Sequence, residues 1–481
     1  MQSLKKNTLL NFLKTCSSII YPLVTFPYIS RILLPDNVGK VHFAQSYVNY
    51  FFLIAMLGVT TYAVRECAAV REDRQKLGEV SSQIFSINVY SSIIAYILLF
   101  ASLVFFRSLD NYRLLIIIES FIIFCSVVGA DWLNIAMEDF TYITGRTVIA
   151  QFFAIIAMLL FVRNTDDYYI YAVICVFASS GVNLLNVWYR RKYCNICLTK
   201  QINWKKHFTP ISILFVMMLS QTLFNNTDIT MLGLMKSDYE VGLYSVANKV
   251  THLIASIVQS LAFVIIPKLS LYFANNDFDN ANRLLKKVLI FNLSFGLPLV
   301  IGVEMLANEI IYIVGGPAFA DAVPVIRFQI LAFMFSLVGG SFLGNAILIP
   351  MKNERYYMIV CLITAGCNII INALLIPQFG AVGASIATAM NGFLIFLFML
   401  LKVDKRIKID GLKKVFFEPI VGCFGIVLCC FLASAIEFIW ARIAVSVIFS
   451  TIIYTLILFF MKNVFVLEFI SYAQRLFKKM V

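Results

Sequence analysis

The sequence predicts an all-α polytopic membrane protein of about 14 transmembrane helices, built as two pseudo-symmetric six-helix lobes plus two C-terminal helices. Three observations carry this. The chain of 481 residues is 61% hydrophobic and 14% charged, with a mean hydropathy of +0.87; a water-soluble domain carries far more charge. The apolar residues gather into fourteen segments of 17–27 residues, the length that crosses a bilayer as a helix. They run continuously instead of alternating as in a β-barrel. Finally, 29 of the 39 Lys and Arg lie in, or border, loops on the side of the N-terminus, with seven on the other side and three inside spans. Cytoplasmic loops retain Lys and Arg, so both termini are expected in the cytoplasm.

The first span, 9–34, follows Lys5 and Lys6. It is too long for a signal-peptide core and lacks a small-x-small cleavage site, so it reads as an uncleaved crossing. The next five are 41–64, 81–106, 112–134, 146–162 and 168–189. The basic loop 190–207 (Arg190, Arg191, Lys192, Lys200, Lys205, Lys206) then joins two bundles. The second bundle holds 209–235, 242–266, 285–307, 324–349, 357–376 and 380–401. A basic loop, 402–414, precedes the extra pair 416–436 and 440–461. The tail 463–481 reads either as an amphipathic helix on the inner leaflet or as a frayed basic end. The expected division is an N-terminal lobe 1–200, a C-terminal lobe 201–405, and 406–481 with two helices and a basic cytoplasmic tail.

So many spans leave only short loops and no room for a soluble catalytic domain. The net charge of +13 follows from the loop bias and attraction to anionic lipid, not from nucleic-acid binding. Most of the eleven Cys sit in apolar segments as small hydrophobes. Cys194-x-x-Cys197 has no second pair and reads as a reduced pair in a loop rather than a metal site.

An internal repeat supports the two lobes. Residues 38–44, VGKVHFA, align without a gap on 241–247, VGLYSVA. At the same offset His42, Gln45, Ser46 and Asn49 fall on Ser245, Asn248, Lys249 and His252, and Ser18 and Thr25 fall on Gln221 and Asp228. Each set recurs at i+3/i+4 and shares a helix face. Lys14, Ser18, Tyr21, Thr25 and Tyr28 make the stripe of span one; Gln221, Asn225 and Asp228 make that of span seven. A six-helix offset preserves orientation, so the repeat is parallel. Paired bundles of this kind are a transporter plan with the substrate site at the repeat interface. The competing reading is hydrogen-bonded glue between helices.

Charges inside spans sharpen the choice, because an ionised group at mid-membrane costs roughly 2.5–3.5 kcal/mol on insertion scales. The candidates are Lys14, Glu119, Asp131, Asp228, Lys249, Glu304 and Arg327. Lys249, between Asn248 and His252, reads as a partner for an anionic group or as the ion-pair partner of Asp228. Asp228 alternatively carries a proton or cation. Arg31, Arg327 and Glu119 are expected near span ends, where side chains snorkel. No Walker A, HExxH or GxSxG sequence and no metal-ligand spacing is present, so neither enzyme activity nor a cofactor is expected.

These residues form a recognisable series: FPYISRILLPDNVGKVHFAQSYVN at 26–49, YAVRECAAVR at 62–71, GADWLNIAMEDFTYITGR at 129–146, NNTDITMLGLMKSDYEVGLYSVANKV at 225–250, then Pro267, GPAF at 316–319 and GAVGASIAT at 380–388. The series resembles the bacterial polysaccharide repeat-unit flippases, the Wzx-type O-antigen transporters. Their superfamily includes multidrug and toxic-compound extruders and lipid II flippases. The resemblance implies a multi-pass protein of the bacterial inner membrane. It implies flipping of undecaprenyl-pyrophosphate-linked oligosaccharides to the outer leaflet, for O antigen, capsule or exopolysaccharide. A polysaccharide polymerase and a chain-length regulator are the implied partners. Lys14, Arg31, Arg65 and Lys249 are the candidate pyrophosphate partners. With His42, Asn49, Asn225, Asp228 and His252 they form the expected substrate-binding set. A cation-coupled drug or metabolite exporter, a lipid II flippase and a non-transporting assembly scaffold are the alternative readings.

Overall fold

A computed structural model describes the backbone of residues 4–468, 470 and 471, with the side chains of 4–9 and 259–264 left undescribed. The tail beyond 471 lies outside the described residues. The chain divides into two compact units, Met1–Gly242 and Leu243–Val481.

In the first unit α1 covers Leu4–Met56, α2 Val59–Ala69, α3 Arg74–Phe105, α4 Arg113–Gly129, α5 Trp132–Ala136, α6 Phe140–Phe161, α7 Tyr168–Ser179, α8 Asn186–Tyr189 and α9 Trp204–Met235. Helix α10, Asp238–Ala274, starts here and runs on into the second unit. There α11 covers Phe278–Met305, α12 Ala307–Val314, α13 Val323–Ser336, α14 Glu354–Leu400, α15 Leu412–Ala433 and α16 Ile439–Phe460. Between α13 and α14, Leu337–Leu348 is a π-helical run. Among the described residues eleven helices, or twelve with one bent pair, are long and apolar enough to cross a membrane. The protein is a multi-pass membrane protein.

Two helices double back. Tyr21 and Gln45 line one cavity, although 24 residues of straight helix would hold them about 36 Å apart. The reversal is at Leu34, whose backbone is non-helical (φ 62°, ψ 170°). In α14 the Tyr356 hydroxyl donates to the Phe398 carbonyl at 2.6 Å, across what would be about 60 Å of straight helix. That turn is at Gly380, φ 55°, a conformation that costs glycine nothing.

Lipid is the solvent for much of this surface. Ile93, Ile94, Ile97 and Val104 on α3 and Trp440, Val447 and Phe449 on α16 are exposed, and a soluble protein would hide such stripes. Many of the buried polar groups find partners inside. Asp131 Oδ1 accepts from Arg146 Nη2 at 2.9 Å, Asn186 Nδ2 at 3.0 Å and Asn134 Nδ2 at 3.3 Å. In the second unit Arg442 on α16 pairs with Glu309 on α12 at 2.9 Å. The Tyr454 hydroxyl donates to the Ser294 carbonyl at 2.7 Å, docking α16 on α11.

The repeat glycines have a packing role. A Cβ on Gly39 would lie 1.8 Å from the Asp238 carbonyl oxygen, and one on Gly242 would lie 2.1 Å from that of Pro35. The start of α10 therefore crosses α1 with backbone against backbone. A second fixture sits between α5 and α6. Asp139 caps α6 through the Tyr142 amide and accepts hydrogen bonds from the Tyr189 and Tyr193 hydroxyls at 2.6 and 2.5 Å. Partial burial pushes the Asp139 carboxyl up, but these donors and Lys192 outweigh it and hold it below its ordinary value of 3.8.

Two predictions follow from this packing. Gly39→Ala should cost about 1–3 kcal/mol through overpacking and lower the thermal midpoint of the purified protein. Gly145→Ala, with nothing within 4 Å of the new methyl, should leave it unchanged. For Asp139 the folded-state pKa lies below the unfolded one. Its contribution is thus complete above the ordinary carboxylate pKa and is lost as pH falls through the depressed value. Hydrogen exchange in 189–193 should stay slow from neutral pH down to that range and rise below it, and Asp139→Asn should abolish the pH step.

Candidate functional site

The first unit holds a half-open cavity of about 320 Å³ whose polar lining is Tyr21, Gln45, Asn49, Glu119, Gln151 and Ser179. These side chains come from both arms of α1 and from α4, α6 and α7. Val48, Ile122, Cys175 and Ala178 complete the wall. Each polar residue interrupts an apolar helical run, and the folding-back of α1 brings its two stripes to one space.

Glu119 dominates the chemistry. It is 3% exposed, six residues beyond the start of α4. Its Oε1 accepts a hydrogen bond from Gln45 Nε2 at 3.1 Å. Gln45 Oε1 in turn meets His42 Nδ1 at 3.1 Å, giving a chain His42–Gln45–Glu119 between α1 and α4. Ser17 donates to Gln151 Oε1, and the Tyr28 hydroxyl donates to the Val162 carbonyl at 2.9 Å. A buried carboxylate is costly unless paired or neutralised. This site can therefore take up a proton or a small cation, with amides and hydroxyls to complete its shell.

On its other side the α1 stripe meets α9. Ser46 Oγ lies 2.9 Å from the Asn226 carbonyl and 2.8 Å from Thr230 Oγ1. Asn49 Nδ2 donates to Asn226 Oδ1 at 3.2 Å. Asp228 is buried on α9, and Tyr50 lies among Thr227, Thr230 and Asp228. The stripe thus makes interhelical hydrogen bonds and lines a cavity as well.

The structure brings His42, Asn49 and Asp228 to this α1–α4–α9 region. The others lie elsewhere. Lys14 is half-buried on α1, and Asn225 is exposed on α9. Arg31 is exposed and folds onto the Pro27 carbonyl of its own helix. Arg65 on α2 pairs with Glu66 at 3.3 Å. Lys249 is half-buried and His252 exposed on α10 in the second unit.

One expectation changes. Glu119 does not snorkel but is buried; the sequence signal was a lone carboxylate inside RLLIIIESFIIFC. Gln151 and Ser17 were missed altogether, being single polar residues without a periodic stripe. Arg327 and Glu304 pair with each other at 3.4 Å near the surface. Among the described residues no group of three or more His, Cys, Asp or Glu could hold a metal.

Comparisons with known proteins agree on fold and family. A model of the polysaccharide biosynthesis protein family matches residues 4–273, and one of the MatE family matches 214–374. A candidate O-antigen transporter of Escherichia coli (strain K12) is 21% identical over 83% of this chain and 97% of its own. The capsular polysaccharide biosynthesis protein CapF of Staphylococcus aureus is 22% identical over 76% of this chain and 90% of its own. Among solved structures, the lipid II flippase MurJ in an inward closed conformation superimposes with a TM-score of 0.77 at 16% identity, covering 95% of this chain and all of its own.

Gln45→Ala should leave the buried Glu119 carboxyl without this hydrogen bond, costing about 1–3 kcal/mol. Glu119→Gln should be milder, since an amide oxygen still accepts from Gln45. A double-mutant cycle read by thermal unfolding should show the two changes to be non-additive; additive effects would show that the bond does not form.

Proposed function

The chain belongs to the polysaccharide biosynthesis protein family, and from this we propose that it is a flippase for lipid-linked oligosaccharides. The cargo is an undecaprenyl-pyrophosphate-linked repeat unit, moved from the cytoplasmic to the outer leaflet of a bacterial inner membrane by alternating access. The protein then serves O-antigen, capsule or exopolysaccharide synthesis, beside a polymerase and a chain-length regulator. In this reading each doubled helix and the bent pair are taken as crossings, so that the protein has fourteen spans with both termini cytoplasmic, in lobes 1–200 and 201–405 with 406–481 appended.

The observation that carries the mechanism is the half-open cavity lined by a single, buried carboxyl. At about 320 Å³ it lies at the low end of small-ligand pockets. It has room for a hydrated ion or a small molecule, not for an oligosaccharide pyrophosphate. We assign it to energy coupling: Glu119 takes up and releases the driving proton or cation, with His42 and Gln45 as its relay. Asp228 and Asn225 on α9, Asn49 on α1 and His252 on α10 are assigned to the sugar head. Lys14, Arg31, Arg65 and Lys249 are assigned to the pyrophosphate. The MatE match over 214–374 favours a second reading, a cation-coupled exporter of small molecules.

Depletion of the protein, followed by mass spectrometry of the lipid extract, separates the two. Under the flippase reading one complete polyprenyl-pyrophosphate oligosaccharide accumulates and surface polymer disappears. Glu119→Gln reproduces both effects with protein levels unchanged. Intact surface glycan with altered toxin resistance would instead establish the exporter.

A further inference from the structure

In the second unit α13 continues without a break into π-helix, Leu337–Leu348, 12 residues long. Its hydrogen bonds close from residue i to i+5, as where the Gly344 carbonyl accepts from the Ile349 amide at 3.1 Å. π-helix is rare, comes mostly as single turns inside α-helices, and gathers at functional sites. Contacts on two neighbours hold this long run. Asn292, buried on α11, donates from Nδ2 to the Leu337 carbonyl and to Ser341 Oγ, both at 3.1 Å. It clamps the first wide turn. Against α14 the run presents two glycines. A Cβ on Gly339 would lie 2.8 Å from Phe396 Cα, and one on Gly344 would lie 2.4 Å from Tyr357 Cε2 and 3.3 Å from Met399 Sδ.

The spacing of these two glycines belongs to the π register. Residues five apart lie one above the other when hydrogen bonds run from i to i+5. In an α-helix residues five apart point about 140° apart, whereas residues four apart stay within about 40°. An α-helical run with Gly344 against α14 would therefore turn Gly339 away and bring Gly340 to Phe396. In the π register Gly340 has no such contact. Among the described residues a Cβ there meets only Ser336 Oγ, at 3.2 Å, and a hydroxyl can rotate aside. Glycine is the poorest helix former after proline, so local structure gives no reason for it at this position. The segment VGGSFLGN, 338–345, thus carries one glycine for each register.

We propose that Leu337–Leu348 is a register switch. It passes between this π form, with Gly339 and Gly344 on α14, and an α form with Gly340 and Gly344 there. Asn292 selects the π form through the Leu337 carbonyl. An α turn takes fewer residues than a π turn, so the same run winds further in the α form. The switch therefore rotates α13 about its axis, against α14, while Gly344 keeps its place. Close-packed interfaces move between discrete arrangements of this kind and do not deform smoothly. That the step serves transport rests on the function proposed above; the register change itself does not.

Helix register shifts fall in the microsecond-to-millisecond range, which relaxation dispersion reads. The purified full chain would be labelled with ¹⁵N-glycine and the Gly344 amide followed, with no cargo present. In the wild type this amide should show exchange between two environments. Gly340→Ala fits the π form but overpacks the α form, and should lower the α population by on the order of tenfold, removing the exchange. Asn292→Leu, which takes away the clamp, should enlarge the exchange, and adding Gly340→Ala to it should cancel the gain. Exchange at Gly344 that Gly340→Ala leaves unchanged would overturn the proposal. So would a quiet Gly344 in both the wild type and Asn292→Leu. In cells Gly340→Ala should cut surface polymer at unchanged protein level. Loss of exchange with surface polymer intact would uphold the switch and count against the flippase reading instead.

Discussion

Hydrocarbon offers no hydrogen bond, so every polar group in a span must find its partner within the chain. This constraint sorts the buried charges. Asp131 gathers Arg146 and two asparagines, and Glu309 takes Arg442. Asn463 donates to Glu418 at 2.6 Å. Each of these ties separate segments of the chain together and reads as architecture. Glu119 differs: its neighbours are a glutamine amide and a cavity, with no cation among the residues that line it. A carboxyl so placed changes its charge more readily than one locked to a guanidinium.

Much of the fold was legible because the same constraint writes itself into composition. Spans must be apolar and long, loops hold the cations, and the polar residues that remain inside recur on one face. The reversals at Leu34 and Gly380 could be expected, since each apolar stretch was twice a bilayer's depth. Their backbone form could not. Nothing in hydropathy distinguishes a short loop from a helix that breaks at one residue and resumes. The crossing of Gly39 and Gly242 was visible only as a weak repeat. The physical reason, backbone contact too close for a methyl group, needs coordinates.

The site was less legible than the fold. Periodicity found His42, Gln45, Ser46 and Asn49 because they lie on one helix and share a face. It could not say that Gln45 turns to α4 while Ser46 turns to α9. Glu119 lies near the start of α4 as expected, but it does not reach outward, because α4 is enclosed almost from its first turn, with Leu115 and Ile116 fully buried. Isolated positions such as Ser17 and Gln151 carry no period and acquire meaning only as a pair.

Two cavities of the first unit differ in their linings. One carries a carboxyl among amides and hydroxyls and is too small for an oligosaccharide pyrophosphate. The other is lined almost wholly by apolar side chains. α1 serves both: its two arms line the first, and its end at Leu57 borders the second. A charge change at Glu119 acts on Gln45, twelve residues before that end and on the same helical arm. A shift of this arm would move the wall of the apolar cavity as well. The two cavities are therefore joined through one helical arm, without any long network of side chains between them.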